Sequence, residues 1–135
     1  MSDVPTVVPA LTYRDAVAAL VFLEQAFGFE PVFVTRDDAG RVRHAELRHG
    51  SGMLMLSERA DGEGPPPGQD FGEADHSVYV VVEDVDAHAV HAREHGADLF
   101  REPADTPYSS REYAARDPEG HLWSFGTYVP GSYRD

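Results

Sequence analysis

The fold is decided by residues 77–96, SVYVVVEDVDAHAVHAREHG, where a run of β-branched and aromatic residues changes at one aspartate into a helical pattern. Ser77–Val82 is typical of a strand. Asp84 is a residue type favoured at helix N-termini, and a helix is predicted from Asp84 to His95. Gly96 follows as the expected C-cap, because glycine adopts the left-handed conformation without strain. The segment therefore predicts a strand followed directly by a helix.

The same succession of patterns occurs in residues 8–28, VPALTYRDAVAALVFLEQAFG, where Asp15 stands 69 residues before Asp84. Val4–Thr12 is predicted as a strand, in which two prolines require an edge or another tolerant position. Arg14–Phe27 is predicted as a helix, since its apolar residues follow helical spacing and a glycine comes next. The chain thus contains its deciding pattern twice.

Each predicted helix is followed by three short β-patterns. These strands are Pro31–Arg36, Arg41–His49 and Met53–Glu58 after the first helix, and Asp98–Glu102, Ser110–Arg116 and His121–Val129 after the second. Gly52 and Gly120 precede the two final strands and are 68 residues apart, so one near-constant shift overlays the halves. The sequence predicts a single α+β domain over 1–135, built from two tandem βαβββ units, 4–58 and 76–129, whose curved mixed sheets form a cup.

The two units are joined by residues 59–75, which are rich in glycine and proline. Such a composition is typical of a flexible connector rather than of a helix or strand. Phe71 is its only aromatic residue. We interpret the segment as a linker, with a lid over a pocket as the alternative.

The composition limits the classes of function. There is no cysteine, so a disulfide framework, a thiolate metal site and a cysteine nucleophile are all excluded. The net charge is −13, with 24 carboxylates against eleven arginines, and it argues against nucleic-acid and anionic-membrane surfaces. The acidity suits a cationic partner, but it also serves solubility alone. No signal-peptide pattern or membrane-spanning stretch occurs, so a cytoplasmic protein is expected.

Three stretches of the chain resemble the vicinal oxygen chelate superfamily, which includes glyoxalase I, extradiol dioxygenases, fosfomycin-resistance transferases and bleomycin-resistance proteins. These stretches are Tyr13–Asp15 leading into Phe22–Glu30, Val80–Asp86, and the closing Arg116–Gly126. The resemblance covers nearly all of the chain except the connector. It implies the cup-shaped fold and a homodimer, with or without exchange of strands between chains, but it does not single out one activity.

The resemblance also implies a divalent metal, such as Zn, Ni, Fe or Mn, held by His or Glu from the first and last strand of each unit. Seven residues before each helix-heading aspartate stand Val8 and Ser77, and four residues after each hairpin glycine stand Leu56 and Ser124. None of the four is a good metal ligand. We therefore predict no metal cofactor and no catalytic residue. The alternative is a metal held by displaced ligands, with His76 and Glu58 as the candidates.

A second possible metal motif lies in the second predicted helix. His91, Glu94 and His95 spell H-x-x-E-H, the inverted zinc-protease motif. The motif closes a short helix whose outer side is expected to meet solvent. Short motifs match by chance, and we interpret His88, His91 and His95 as an exposed polar stripe.

A candidate binding pocket follows from the alternation of side chains along the strands. The side chains predicted to face one cavity are Val8, Ala10, Leu56, Ser77, Tyr79 and Ser124. Tyr108, Arg111 and Tyr113 are the candidate rim residues, with ordinary hairpin packing as the alternative for them. Trp123 is out of phase with Ser124 and is predicted to pack between sheet and helix. Such a cavity would be mostly apolar with a few hydroxyl groups, and it contains no evident general base.

The leading functional hypothesis is a metal-free protein that binds and sequesters a small cationic or aromatic molecule, as the resemblance to the bleomycin-resistance branch implies. A divalent-metal-dependent lyase, isomerase or dioxygenase is the first alternative. A dimeric structural or regulatory module is the second. The expected partners are a small-molecule ligand and a second copy of the chain, without nucleic acid or membrane.

Overall fold

A computed structural model describes residues 5–59 and 76–131 of the chain. Its elements are β1 (Ala10–Tyr13), α1 (Ala16–Phe27), β2 (Glu30–Arg36), β3 (Val42–His49), β4 (Gly52–Glu58), β5 (Val78–Val81), α2 (Val85–Glu94), β6 (Asp98–Asp105), β7 (Arg111–Arg116) and β8 (Leu122–Gly126). This order confirms the two predicted βαβββ units. The predicted connector lies, apart from Arg59, outside the described residues.

Each unit forms one four-stranded mixed sheet. The strand order is β1-β4-β3-β2 in the first sheet and β5-β8-β7-β6 in the second, and the two sheets do not close into one barrel. The first and last strands of each unit are parallel neighbours, and the other pairs are antiparallel. The predicted metal-ligand positions of the resemblance therefore come from strands that are adjacent in each sheet.

The helices begin where the aspartates predict. The Asp15 side chain accepts a hydrogen bond from the N–H of Ala18 at 3.0 Å, and Asp84 does the same for Ala87 at 3.0 Å. Each carboxylate satisfies an N–H group that would otherwise lack a partner in the first helical turn. Gly28 ends α1 with a φ of 84°, in the left-handed region that the C-cap requires.

Strand β1 is shorter than the predicted Val4–Thr12. Pro9 has no N–H to donate, and only its carbonyl joins the sheet, accepting from the N–H of Met55 at 2.9 Å. Strand β8 is also shorter than predicted and ends at Gly126, although the N–H of Thr127 still donates to the carbonyl of Arg111 at 3.2 Å.

Both sheets share one hydrophobic core with the two helices. Phe27 at the end of α1 lies 5.2 Å from the ring of Trp123 and 4.8 Å from that of Phe125, both in the second sheet. Leu54 and Leu56 of the first sheet belong to the same buried cluster. Trp123 thus packs between sheet and helix as predicted, and α1 holds the two units together.

A buried carboxylate also joins the units. Asp117, at the end of β7, accepts hydrogen bonds through Oδ2 from the hydroxyl of Tyr13 at 2.7 Å and from the indole N–H of Trp123 at 3.1 Å. Burial, with the charge of Asp117 beside the hydroxyl, raises the pKa of Tyr13 well above its ordinary value. Neighbouring Glu119 accepts from the backbone N–H groups of Arg14 and Asp15 just before α1.

Of the helices within residues 5–59 and 76–131, neither has the length and apolar composition needed to cross a membrane.

Candidate functional site

The second sheet presents a polar and aromatic face on the side opposite the helices, here called its outer face. Along β8, Trp123 and Phe125 are buried in the core, and Ser124 between them points the other way. Ser124 lies between Tyr79 of β5 and Ala114 of β7 in the strand register. Three strands therefore bring these side chains together.

A cavity of about 270 Å³ opens on this outer face. Its lining consists of Arg101, Ala104, Asp105, Thr106, Pro107, Tyr108, Glu112, Tyr113, Ala114 and Ser124. All of these residues belong to the second unit. Of the predicted pocket residues, Ser124, Tyr108 and Tyr113 belong to this lining, while Val8 and Ala10 of the first unit do not.

Tyrosines and one carboxylate form the polar end of this face. The hydroxyl of Tyr108 donates to Oε1 of Glu112 at 2.8 Å, and the hydroxyl of Tyr79 donates to the carbonyl of Tyr128 at 2.8 Å. The rings of Tyr108 and Tyr128 meet edge to face, with centroids 6.1 Å apart. Burial, followed by the charge of Glu112, raises the pKa of Tyr79. The hydrogen bond to Glu112 raises the pKa of Tyr108, because a phenolate there would repel the carboxylate.

Gly126 allows these groups to approach one another. A Cβ atom at this position would lie 2.5 Å from Cγ of Glu112 and 2.6 Å from the hydroxyl oxygen of Tyr79. Real Cβ contacts are longer than this, so the glycine is what lets the carboxylate and the phenol lie over the strand. Ser110 helps to position the same region, because its hydroxyl accepts a hydrogen bond from the backbone N–H of Tyr128 at 3.1 Å.

The prediction that Leu56 faces the pocket is wrong by one residue. The turn between β3 and β4 contains two residues, since His49 pairs with Gly52. The turn between β7 and β8 contains three, since the N–H of Asp117 donates to the carbonyl of His121 at 3.0 Å. The two glycines used to align the halves are therefore not equivalent. Leu56 is only 1% exposed and packs in the core against the helix layer.

The residue equivalent to Ser124 is Met55. Met55 pairs with Ala10, and Ser124 pairs with Tyr79, and each partner lies five residues before the aspartate that caps its helix. Met55 is partly exposed, on the side of the first sheet opposite Leu56. The side chains of Ala10 and Met55 thus occupy the outer face of the first sheet.

The other predicted first-strand residues lie near a different cavity. Val8 is partly buried just before β1, and Ser77 is exposed just before β5. Between these two edge strands is a space of about 450 Å³. Its lining is Pro5, Val7, Pro9, Phe29, His49, Gly50, Ser51, Gly52, Met53, Leu54, Val78, Tyr79, Val80 and Val81. Tyr79 therefore borders this cleft as well as the polar end of the outer face.

Two predicted rim residues lie on the wrong side of the second sheet. Arg111 makes a two-pronged ion pair with Asp86 of α2 at 2.9 Å for each contact, and a third contact with Asp105 at 3.1 Å. Tyr113 is buried against the ring of Phe125, with ring centroids 4.8 Å apart. Odd-numbered residues of β7 therefore direct their side chains toward the helices, although Tyr113 also borders the cavity.

Sequence reasoning missed Glu112, Gly126 and Tyr128. Glu112 is two residues before Ala114, and Gly126 and Tyr128 follow Ser124 in steps of two. The alternation that selected Ser124 therefore also pointed to them. The expectation that the pocket holds no candidate base needs correction as well, because the carboxylate of Glu112 lines it.

The residues at the four ligand positions do not fit a divalent metal. With Met55 instead of Leu56 as the residue equivalent to Ser124, the four positions are Val8, Met55, Ser77 and Ser124. A thioether is a soft ligand, and aliphatic or hydroxyl groups compete poorly with imidazole and carboxylate for Zn, Ni, Fe or Mn. Among residues 5–59 and 76–131 no group of three His, Asp or Glu side chains is placed to hold a metal.

The displaced ligands of the alternative do not improve the fit. Glu58 pairs with the buried Tyr13 in the sheet register and so lies on the core side. Its Oε1 accepts a hydrogen bond from the N–H of Ala16 at 3.2 Å, which helps to cap α1. His76 is exposed before β5 begins. The carboxylate is thus engaged at a helix end, away from the outer face.

Of the three histidines predicted as an exposed polar stripe, His91 and His95 are exposed, but His88 and His91 contact the end of α1. The ring Nε2 of His88 donates to the carbonyl of Phe27 at 3.2 Å, and its Nδ1 accepts from the hydroxyl of Tyr113 at 2.6 Å. Burial lowers the pKa of His88, which favours this neutral form. His91 is exposed, yet its Nε2 lies 2.7 Å from the carbonyl of Gln25. Of the H-x-x-E-H motif, His91 therefore takes part in the helix contact.

Sequence comparison supports the resemblance. The family profile described as "Glyoxalase/Bleomycin resistance protein/Dioxygenase superfamily" matches residues 6–125. An uncharacterized protein of Mycobacterium tuberculosis strain H37Rv is 29% identical over 129 residues, which cover 93% of this chain and 75% of that protein.

Solved structures with the same fold include TioX from Micromonospora sp. ML1. It is 31% identical, with a TM-score of 0.73, and the match covers 93% of this chain and 99% of TioX. The fosfomycin resistance protein FosX of Listeria monocytogenes, solved with Mn(II) and sulfate, is 12% identical, with a TM-score of 0.69 over 93% of this chain and 91% of FosX. The likeness to FosX concerns the fold alone.

Proposed function

The chain belongs to the glyoxalase/bleomycin resistance protein/dioxygenase superfamily, and we propose that it is a metal-free protein that binds and sequesters a small molecule. The observation that carries the proposal is the side-chain set at the four ligand positions, Val8, Met55, Ser77 and Ser124. A second observation supports it, since one of these four, Ser124, lines a cavity with Tyr108. Aromatic and hydroxyl groups of this kind bind planar or amphipathic molecules.

We further propose that the chain acts as a homodimer. The outer faces carry exposed apolar side chains, among them Phe33 on the first sheet, which is 50% exposed, and Val81 on the second. A second copy placed over these faces would bury them and enclose the open cavity. Sequestration from water needs such enclosure, because ligand sites bury most of the ligand surface.

Metal content and ligand binding test this function together. Protein purified without an affinity tag is analysed for transition metals, and its melting temperature is measured with a panel of aromatic drugs and natural products. We expect less than a tenth of a metal ion per chain, as an order of magnitude, and a rise in melting temperature with at least one compound class. Product analysis after prolonged incubation is expected to return the ligand unchanged.

Two results would overturn the proposal. One tightly held transition metal per chain, lost on His76→Ala or Glu58→Ala, would favour the lyase, isomerase or dioxygenase. No shift with any compound would favour the structural or regulatory module.

The dimer has its own test by analytical ultracentrifugation of the 14.8 kDa chain. We expect a dimer at micromolar concentration, and monomers after Phe33→Glu. Val90→Glu is the matched control, because Val90 is 57% exposed on α2, away from the outer faces. A monomeric parent protein would refute the dimer, and so would equal dissociation by both variants.

A further inference from the structure

The carboxylate of Glu112 is the charged group at the polar end of the outer-face cavity. Glu112 pairs with Gly126 on one side and Ala104 on the other in the sheet register, and it is half-buried. Its Oε1 is held by the hydroxyl of Tyr108 at 2.8 Å. Its Oε2 lies over Gly126, 3.1 Å from where a Cβ atom would be. The carboxylate is therefore fixed in place at the edge of an open cavity.

The arginine next to Glu112 in the sequence is directed elsewhere. Arg111 is bound to Asp86 and Asp105 on the opposite side of the sheet. Arg101 also lines the cavity, with its guanidinium carbon 5.6 Å from the ring centroid of Phe100. Arg101 and Glu112 thus both line the cavity, and the hydroxyl of Tyr108 donates its hydrogen bond to Glu112.

The aromatic groups around Glu112 suit a cation as well as a planar ring. The hydroxyl of Tyr79 lies over Gly126 with Glu112, and the rings of Tyr108 and Tyr128 are in edge-to-face contact at the rim. A ring face attracts an ammonium group, and a neighbouring carboxylate adds a charge-assisted hydrogen bond. The overall charge of −13 raises the local concentration of cationic molecules.

We propose that Glu112, with Tyr79, Tyr108 and Tyr128, forms a subsite for a protonated amine carried by an aromatic ligand. This proposal rests on the proposed function, since it names the class of molecule that the binding protein takes. The amine donates to Oε2 of Glu112, and the attached ring lies across Ala114 and Ser124.

A matched pair of fluorescent probes tests the subsite. Acridine and 9-aminoacridine have the same three-ring frame, but only the second is a cation near neutral pH, and its amino group, a hydrogen-bond donor, shares the positive charge with the protonated ring nitrogen. Binding to the full chain is followed by fluorescence titration at about 0.15 M salt, where contacts between distant surface charges are largely screened. We expect 9-aminoacridine to bind at least about tenfold more tightly than acridine, the difference that one charge-assisted contact gives.

Substitutions then assign the preference to one carboxylate. Glu112→Gln is expected to weaken 9-aminoacridine binding by about tenfold and to leave acridine binding within about twofold. Glu112→Asp keeps the charge and is expected to retain most of the preference. Glu94→Gln changes the net charge equally on the exposed end of α2, and we expect no effect from it. Circular dichroism checks that each variant is folded.

Three results would overturn the subsite. Equal weakening by Glu112→Gln and Glu94→Gln would assign the preference to overall acidity. If acridine binds as tightly as 9-aminoacridine, the binding function stands, but Glu112 does not recognise a charged amine. Binding of neither probe would also refute the subsite, and the wider compound panel then decides whether the binding function fails too.

Discussion

The two units share one topology, but they differ in how deeply their helices are buried and in the side chains on the outer faces of their sheets. Helix α1 buries seven residues and packs against the second sheet through Phe27, whereas α2 buries three and carries an exposed polar surface. The outer face of the first sheet carries Ala10 and Met55, and that of the second carries Tyr79 and Ser124. The first unit thus supplies the more deeply buried helix, and the second supplies the candidate site.

The largest expected effect concerns the unequal helices. Phe27→Ala removes a fully buried ring that contacts Trp123 and Phe125. We expect a loss of about 3–5 kcal/mol in the free energy of unfolding, from lost burial and the cavity left behind. Val90→Ala on α2 is the control and is expected to change it by less than about 0.5 kcal/mol. Urea unfolding followed by circular dichroism measures both, and similar losses would contradict the division between the helices.

The second prediction compares the two final hairpins. Asp117→Ala leaves the hydroxyl of Tyr13 and the indole of Trp123 without their buried acceptor. The backbone N–H of His121 also loses its acceptor, Oδ1 of Asp117. We expect a loss of about 2–4 kcal/mol, because each unpaired buried donor costs about 1–3 kcal/mol. His49 occupies the corresponding place before the first turn, and His49→Ala is expected to cost about 1 kcal/mol or less. Equal losses in urea unfolding would show that the second hairpin has no special role in joining the units.

Much of the fold could be predicted from local chemistry. Asp15 and Asp84 indicated where the helices begin, because N-capping depends on a few neighbouring atoms. Register could not be read in the same way. Gly52 and Gly120 looked equivalent, but one begins a strand and the other ends a longer turn. The difference of one residue placed Leu56 on the wrong face, as any shift by one does in a strand.

The candidate site was predicted only in part, again because the strand register could not be read from the sequence. Tyr79 and Ser124 were assigned to one face correctly, since each lies in a strand with a clear alternation. Arg111 and Tyr113 were placed at the rim without a register for β7, and the sheet turns them toward α2. Polar character did not separate Glu112 from Arg111, because only the pairing across β7 and β8 decides which of two adjacent charged residues reaches the cavity.

The third prediction separates the two serines that occupy the predicted ligand positions of the second unit. Ser124→Trp places an indole in the cavity of about 270 Å³, and we expect at least a tenfold loss of affinity for any ligand found in the compound panel. Ser77→Trp adds the same group at an exposed position just before β5, and we expect only a small effect there. Isothermal titration measures the affinities. A larger loss from Ser77→Trp would place the ligand in the cleft between β1 and β5 instead.

The smallest expected effect is a pH dependence at the contact between the helices. Burial lowers the pKa of His88, which lies near His49 and His91, so the folded state holds this ring neutral. The unfolded chain binds its proton at a higher pH than the folded chain does. Stability is therefore complete above the unfolded pKa of about 6.5 and falls as the pH drops through it, by at most about 1.4 kcal/mol per pH unit.

His88→Gln is expected to lower stability at pH 8 while making its decline between about pH 6.5 and pH 5 shallower, because the amide cannot take up the proton. His95→Gln is the matched change on the exposed end of α2 and is expected to leave the slope as it is. Urea unfolding across this pH range measures the slopes. The slope is the informative quantity, since a simple loss of packing would shift the whole curve without changing it. An unchanged slope in His88→Gln would mean that the contact between His88 and the carbonyl of Phe27 tolerates a charged ring. Helix α2 would then lie against α1 less tightly than the buried contacts of His88 indicate.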